Sequence, residues 1–160
     1  MSNLTLTLQT ETFQYAENGR LEKEDVLTAN ARAVFRETSE GWALSYGEKD
    51  ENGSTVTRLT FSRDGGVLSL SRQGALSYNA RFTVNGTDVF LYRAFPASWE
   101  ARTETLALTQ NLSSAGGALF LSYRLTMGGV AREIHLQISA VPEGETAKNE
   151  TKEGETYDRQ

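Results

Sequence analysis

Apolar and polar residues alternate one by one along most of this chain. Leu4, Leu6 and Leu8, for example, alternate with Thr5 and Thr7. Successive side chains of a β-strand point to opposite faces, so a period of two predicts strands with one apolar face, and no stretch has the period of a helix. The predicted strands span residues 3–14, 24–37, 42–48, 55–63, 66–73, 76–84, 88–94, 99–109, 118–127 and 129–140.

Short turn sequences separate these strands and indicate how they connect. Asn18-Gly19, Asp64-Gly65 and Asn85-Gly86 are of the kind that tight hairpins use, because Gly and Asn tolerate positive φ angles. Serial hairpins describe an antiparallel meander, and closing the sheet removes the two edges that an open sheet would expose. A sandwich would need longer crossovers. The sequence therefore predicts an all-β fold, a single antiparallel meander β-barrel of about 8–10 strands.

The chain divides by composition into a long body and a short tail. Its 160 residues suffice for one domain with a real core, and residues 1–142 hold all of the predicted strands. Residues 143–160 hold six acidic and three basic residues and two apolar ones, Ala147 and Tyr157. Such a segment buries too little apolar surface to offset the entropy of ordering, so a disordered acidic tail is predicted.

The charge and the cysteine content bear on partners and compartment. The net charge is −5, and no basic patch of the kind that binds nucleic acid or anionic membranes is visible. The N-terminus lacks the basic and apolar regions of a signal peptide, and no window is apolar enough for a membrane helix. With no Cys in the chain, these features predict a cytoplasmic protein without nucleic-acid or membrane partners.

Three short motifs resemble a known family. They are Ser71–Ala75, Ala80–Thr83 and Leu121–Arg124, and Met127-Gly128-Gly129 follows the last of them. Their order and spacing resemble the YwiB-like family of small bacterial proteins, a domain-of-unknown-function family with a calycin-like, lipocalin-type barrel. The resemblance covers most of the body. It implies the barrel fold and a bacterial, cytosolic setting, and it implies no reaction.

Catalytic and metal motifs are weak in this sequence. His135 is the single histidine and falls on the polar phase of the last strand, where a solvent-facing side chain is expected. No Gly-x-Ser-x-Gly elbow accompanies it. The loop Asp50–Ser54 lacks the closing acid of a calcium loop. We therefore predict no catalytic residue, metal or cofactor, and an enzyme is the least favoured class.

The predicted barrel interior is more informative. Ala29, Ala31 and Ala33 are small residues on one apolar phase, and Arg72 shares the phase of Leu70. An inward arginine needs a carboxylate, a carbonyl or an anionic ligand. Small inward residues either leave room for a ligand or allow the sheet to coil, with Arg72 paired internally. The candidate ligand-binding residues are Arg72, Tyr78, Arg81, Trp99, Thr103, Thr105 and Tyr123.

Two classes of function follow from this sequence. The first is a non-enzymatic barrel that binds a small, partly apolar ligand, which Arg72 would allow to be anionic. The alternative is a module for protein–protein interaction or homodimer formation through an outer face or rim, without an interior ligand. Outward positions predicted for Leu106, Leu108 and Phe120 would favour this alternative if the three cluster.

Overall fold

The computed structural model describes residues 1–51 and 53–144. In that part of the chain there are ten β-strands and a 3₁₀ turn at Asp64–Gly66, and no helix is long and apolar enough to cross a bilayer. Apart from residues 143 and 144, the predicted tail lies outside the described residues. The strands are β1 (Ser2–Tyr15), β2 (Leu21–Glu37), β3 (Gly41–Asp50), β4 (Gly53–Ser62), β5 (Val67–Gly74), β6 (Tyr78–Phe82), β7 (Thr87–Ala94), β8 (Ala97–Gln110), β9 (Gly117–Met127) and β10 (Val130–Pro142).

All ten strands belong to one antiparallel sheet in the order β6-β5-β4-β3-β2-β1-β10-β9-β8-β7. The first and last strands pair with each other, with Leu8 opposite Ile138. The two ends of this order, β6 and β7, are consecutive along the chain. Ser77 and Arg93 join them by two backbone hydrogen bonds of 2.9 Å each. The sheet therefore curls into a nearly closed barrel, which confirms the predicted all-β antiparallel barrel.

The interior of the barrel is built in rows that run across β3, β4, β5 and β6. Each row consists of residues that the register places directly opposite one another on the inward face. Two rows are apolar and the third is polar, so the chemistry of the interior changes along the barrel axis. The first row is Trp42, Phe61, Leu68 and Phe82; the middle row is Leu44, Leu59, Leu70 and Ala80; the polar row is Tyr46, Thr57, Arg72 and Tyr78.

Leucines from the rest of the sheet fill the space against the two apolar rows. Leu4, Leu6, Leu119 and Leu121 are buried and belong to the same core cluster as the apolar rows. Burial of a leucine side chain stabilises a fold by roughly 1.5–3 kcal/mol, so these leucines and the two apolar rows contribute strongly to folding. A ligand therefore has no obvious place among these leucines.

A β-bulge in β8 corrects one expectation about the outer face. Thr105 lies opposite Tyr123 and Ala107 lies opposite Ser122, so Leu106 is the extra residue. An extra residue reverses the phase of the strand beyond it. Leu108 consequently points inward and packs against the core, instead of outward as the unbroken alternation predicted. The predicted outer cluster of Leu106, Leu108 and Phe120 does not form.

The first half of β2 differs from the half-buried strand that the alternation predicted. Residues 21–30 are all exposed, including Leu27 and Ala29 on the inward phase, and of the three alanines expected inside, Ala33 is fully buried. β2 pairs with β1 along nearly its whole length, but it pairs with β3 only over Ala33–Glu37. β1 stays paired with β10 as far as Gln14, so over residues 21–32 it is β2 that forms an edge of the sheet, and no strand of the described residues covers its apolar phase there.

Candidate functional site

The polar row lies where the inward side chains give way to the open end of the barrel. Arg72 points inward because it is two and four residues beyond Leu70 and Leu68 on β5. Its cross-strand neighbours are Thr57 and Tyr78. The next inward position, Gly74, has a φ of 139°, and a Cβ there would collide with the carbonyl oxygen of Ser54. Because Gly74 has no side chain, this position does not cover the Arg72 guanidinium.

Arg72 pairs with the carboxylate of Glu48, which is one of the partners expected for an inward arginine. One of its oxygens lies 3.2 Å from Nη2 of Arg72, and the Thr57 hydroxyl donates a hydrogen bond of 3.2 Å to the same oxygen. The side chains of Arg72 and Glu48 are 24% and 33% exposed, so the pair lies at the boundary between core and solvent. Nε of Arg72 is buried and has no hydrogen-bond partner within the described part of the chain. Glu48 therefore satisfies only part of the guanidinium.

Aromatic rings surround this arginine. The ring of Tyr78 stacks on those of Phe90 and Tyr92, with centroids 5.3 and 5.2 Å apart, and Tyr92 contacts Trp99 at 6.2 Å. Offset-stacked rings at these distances contribute about 0.5–1.5 kcal/mol per pair beyond their burial. The aromatic residues form a continuous wall from β6 across β7 to β8, and its polar groups are the tyrosine hydroxyls and the indole N–H of Trp99.

The charges of this cluster are set by burial and by the arginine. Loss of hydration raises the pKa of the Tyr78 and Tyr123 hydroxyls and raises that of Tyr46 to about 12, although Arg72 acts in the opposite direction on all three. Burial acts to lower the pKa of Arg72, but the nearby Tyr78 and Glu48 outweigh it and the pKa is raised. At neutral pH the site therefore holds a charged guanidinium among neutral phenols.

A groove opens onto this cluster through the seam between β6 and β7. At one end of the seam the Ser77–Arg93 bridge joins the strands, and at the other end the backbone N–H of Arg81 donates to the Asp88 carboxylate at 2.8 Å. Among the described residues, no backbone hydrogen bond joins 78–80 to 89–92. The groove has a volume of about 470 Å³ and is lined by Arg72, Gln73, Ser77, Tyr78, Asn79, Phe90, Leu91 and Arg93. We call it the seam groove.

The charged side chains that line the seam groove are basic. The described lining of the groove contains two arginines, Arg72 and Arg93, and no acidic residue, although Glu48 pairs with Arg72 at 3.2 Å. Neutral donors and acceptors come from Ser77 and Asn79, and Tyr78 with Phe90 supplies an aromatic floor. Apolar surface combined with a few convergent polar groups is the usual composition of a small-molecule site.

The structure brings together some of the residues predicted from sequence and separates others. Arg72 and Tyr78 lie opposite each other in the register, and Tyr78 and Tyr123 both pack against the same core cluster. Trp99 lies beside Tyr92 at the barrel rim and is 42% exposed. Arg81 is exposed on the outer phase of β6, away from the interior.

Thr103 and Thr105 are both buried on the inner face of β8. The hydroxyl of Thr103 has no hydrogen-bond partner. Thr105 lies opposite Tyr123 in the register, and Thr103 lies opposite Asp88 on β7. Both threonines therefore line the interior behind the aromatic wall, and neither lines the seam groove.

Sequence reasoning did not find Glu48, Phe90 and Tyr92. A signal existed for each of them, because Glu48 follows Tyr46 by two residues and Phe90 and Tyr92 alternate along β7. Alternation gives the face of a residue, but it does not give its neighbours across a closed barrel. The seam between β6 and β7 is what places the aromatic pair beside Arg72.

His135 lies on the outer face, as its phase predicted, but it is partly buried there. Its Nε2 is 2.7 Å from a carboxylate oxygen of Glu133, and the Tyr15 hydroxyl donates to the other oxygen at 3.3 Å. The imidazole packs between the rings of Phe13 and Phe120, with centroids 4.7 and 5.7 Å away. This cluster is on the opposite side of the sheet from the polar row.

Comparison with known proteins identifies the family. A family model described as Domain of unknown function (DUF1934) matches residues 7–138. The chain belongs to this family. The crystal structure of the ywiB protein from Bacillus subtilis is similar to it with a TM-score of 0.73, at 20% sequence identity over 88% of this chain and 92% of that chain. These findings confirm the resemblance to YwiB-like proteins and show the fold. No curated protein matches the chain.

Proposed function

We propose that this protein binds a small molecule with an acidic group and an apolar or aromatic body in the seam groove. The observation that carries the proposal is the Arg72 guanidinium, which is charged, only partly paired and open to a groove that has no acid in its lining. The Arg72 side chain is 24% exposed beside its pair with Glu48, and an acidic group in the groove would form a charge-assisted hydrogen bond with this exposed part of the guanidinium.

The packed apolar rows favour the mouth of the barrel over its centre as the place for the ligand. The two apolar rows and the leucines against them are buried. The seam groove instead offers about 470 Å³, within the usual size of small-molecule sites. An acidic group would lie between Arg72 and Arg93, and an aromatic body would stack on Tyr78 and Phe90.

A matched pair of fluorescent probes tests this proposal. 1-Anilinonaphthalene-8-sulfonate and N-phenyl-1-naphthylamine share one aromatic skeleton and differ in the sulfonate. We expect the wild-type chain to bind the sulfonate more tightly than the uncharged probe. Arg72→Met should weaken binding of the sulfonate by roughly 10- to 100-fold, the value of a charge-assisted hydrogen bond, and should change binding of the uncharged probe little.

Arg81→Met is the matched control, because it removes the same charge from the neighbouring strand at an exposed outer position. It should leave the preference for the sulfonate unchanged. Circular dichroism should show that both variants remain folded. Equal affinity of the two probes for the wild type, or an unchanged preference in Arg72→Met, would contradict the proposal.

A further inference from the structure

Among residues 1–51 and 53–144, the first half of β2 has a partner strand on one side only. From Leu21 to Arg32, β2 pairs with β1 on one side, and its pairing with β3 begins only at Ala33. The backbone groups on the open side of this segment point to solvent. Such an edge is a template for pairing with another strand, and natural proteins usually protect it with charges, prolines or bulges.

Part of this edge carries those protective features and part does not. A β-bulge and several charged residues occupy its beginning, where Asp25 lies opposite Thr12 and Lys23 opposite Phe13, so Glu24 is the extra residue. Residues 26–31, Val-Leu-Thr-Ala-Asn-Ala, contain no charge, no proline and no bulge. Leu27 is 63% exposed. Six unprotected residues span about 20 Å, the length of an average strand.

We propose that residues 26–31 of β2 pair antiparallel with the same segment of a second copy of this chain. A two-fold axis perpendicular to the sheet then relates the copies and joins their two sheets edge to edge. Such an axis keeps outer faces outward, so residues on one phase, among them Leu27 and Ala29, meet their equivalents on the same face. This pairing would satisfy the open backbone groups and cover the exposed leucine.

The charges at the two ends of the segment favour the antiparallel arrangement. Before it stand Glu22, Lys23, Glu24 and Asp25, with a net charge of −2, and after it stands Arg32, which is 86% exposed although it contacts Glu143 at 3.2 Å. Lys23 and Glu24 pair within the chain with Glu11 and Arg132, so Glu22 and Asp25 carry the acidic charge that faces a second copy. Antiparallel pairing places the acidic end of each copy against the Arg32 end of the other. Parallel pairing would instead place like charges together, which is destabilising. This complementarity identifies a second copy as the occupant of the edge.

Sedimentation equilibrium on the full chain tests the pairing. We expect a dimer for the wild type, and on the order of 10-fold or more weaker association for Leu27→Glu, because the variant brings two carboxylates together across the axis. Val56→Glu is the matched control: Val56 is 57% exposed and lies on β4, which has a neighbour on both sides. It should associate like the wild type. A monomeric wild type, or equal association of both variants, would overturn the proposal.

Disulfide trapping provides a second test, since the chain contains no cysteine of its own. Leu27→Cys, Thr28→Cys and Ala29→Cys sample the positions nearest the proposed axis, and equivalent cysteines near a two-fold axis lie within bonding range. At least one of them should give a covalent dimer on oxidation, whereas Val56→Cys should not. Failure of all three to cross-link faster than Val56→Cys would contradict the proposed axis.

Discussion

The middle row and the polar row of the barrel lie two residues apart along the same four strands, yet one is apolar and the other is polar. Leu44 and Leu59 in the middle row are fully buried, whereas Arg72 in the polar row is partly exposed and pairs with Glu48. The backbone geometry and the cross-strand spacing are shared. The difference shows that one continuous sheet can hold an apolar layer of side chains directly beside a polar, charged one.

The polar row differs from the middle row also in its position, because Arg72 and Tyr78 line the seam groove. Tyr78 ends the polar row on β6, the strand that meets β7 through few hydrogen bonds. The apolar rows also end on β6, at Ala80 and Phe82, but these two residues belong to the buried core cluster, whereas Tyr78 lines the seam groove. A substitution in the middle row should therefore affect unfolding strongly, whereas a substitution of Arg72, the partly exposed residue of the polar row, should affect binding more than unfolding.

The largest effect should come from the middle row. Leu59→Ala removes a fully buried side chain and should lower the free energy of unfolding by about 2–5 kcal/mol, because it loses apolar burial and leaves a cavity. Val56→Ala, on the same strand but facing solvent, should change it by about 0.5 kcal/mol or less. Urea unfolding of both variants measures the difference, and similar values would contradict the division into rows.

The second largest effect should be a loss of stability at high pH that depends on Tyr46 in the polar row. The pKa of Tyr46 is raised to about 12, so the folded chain keeps this proton where the unfolded chain, with a pKa near 10, has lost it. Stability linked to Tyr46 is therefore complete below pH 10 and is lost as the pH rises to about 12. Two pKa units correspond to about 3 kcal/mol.

Tyr46→Phe removes this ionisation and should flatten the fall in stability between pH 10 and about 12. Urea unfolding at a series of alkaline pH values compares the variant with the wild type, and tyrosinate absorbance reports the ionisation directly. Tyr78 and Tyr123 also have raised pKa values, so part of the slope should remain in the variant. An unchanged slope would mean that Tyr46 ionises equally easily in the folded and unfolded states.

Alternation predicted the strands and the inward position of Arg72 because each depends on a few consecutive residues. It did not predict that Leu108 turns inward, since the bulge at Leu106 is an event between two strands. Nor could it predict the exposure of Leu27, because burial depends on neighbouring strands and on the packing across the barrel. β2 begins to pair with β3 only at Ala33, six residues after Leu27. The faces of residues are thus local properties, whereas their neighbours are properties of the closed barrel.

The candidate site shows the same division. The sequence required a partner for Arg72 but left its identity open, and the register of β3 with β4 and β5 supplies Glu48. The aromatic wall depends on the meeting of β6 and β7, two strands with the Ser77–Arg93 bridge between them but no shared ladder. A contact of this kind leaves no periodic signal in the sequence.

The smallest expected effect comes from two buried threonines, one with a hydrogen-bonded hydroxyl and one with an unpaired hydroxyl. Thr57 in the polar row donates a hydrogen bond to Glu48, whereas the hydroxyl of Thr103 is buried without a partner. Valine keeps the branched shape and removes the hydroxyl in each case.

Thr57→Val should destabilise the fold by about 1 kcal/mol, because it loses a hydrogen bond to a charged group. Thr103→Val should stabilise it by about 1 kcal/mol, because the folded chain no longer buries an unpaired hydroxyl. Urea unfolding of the two variants should therefore give changes of opposite sign. A loss of stability in Thr103→Val would mean that its hydroxyl has a partner in solution, such as an ordered water, and that the polar chemistry of the barrel extends from the polar row to β8.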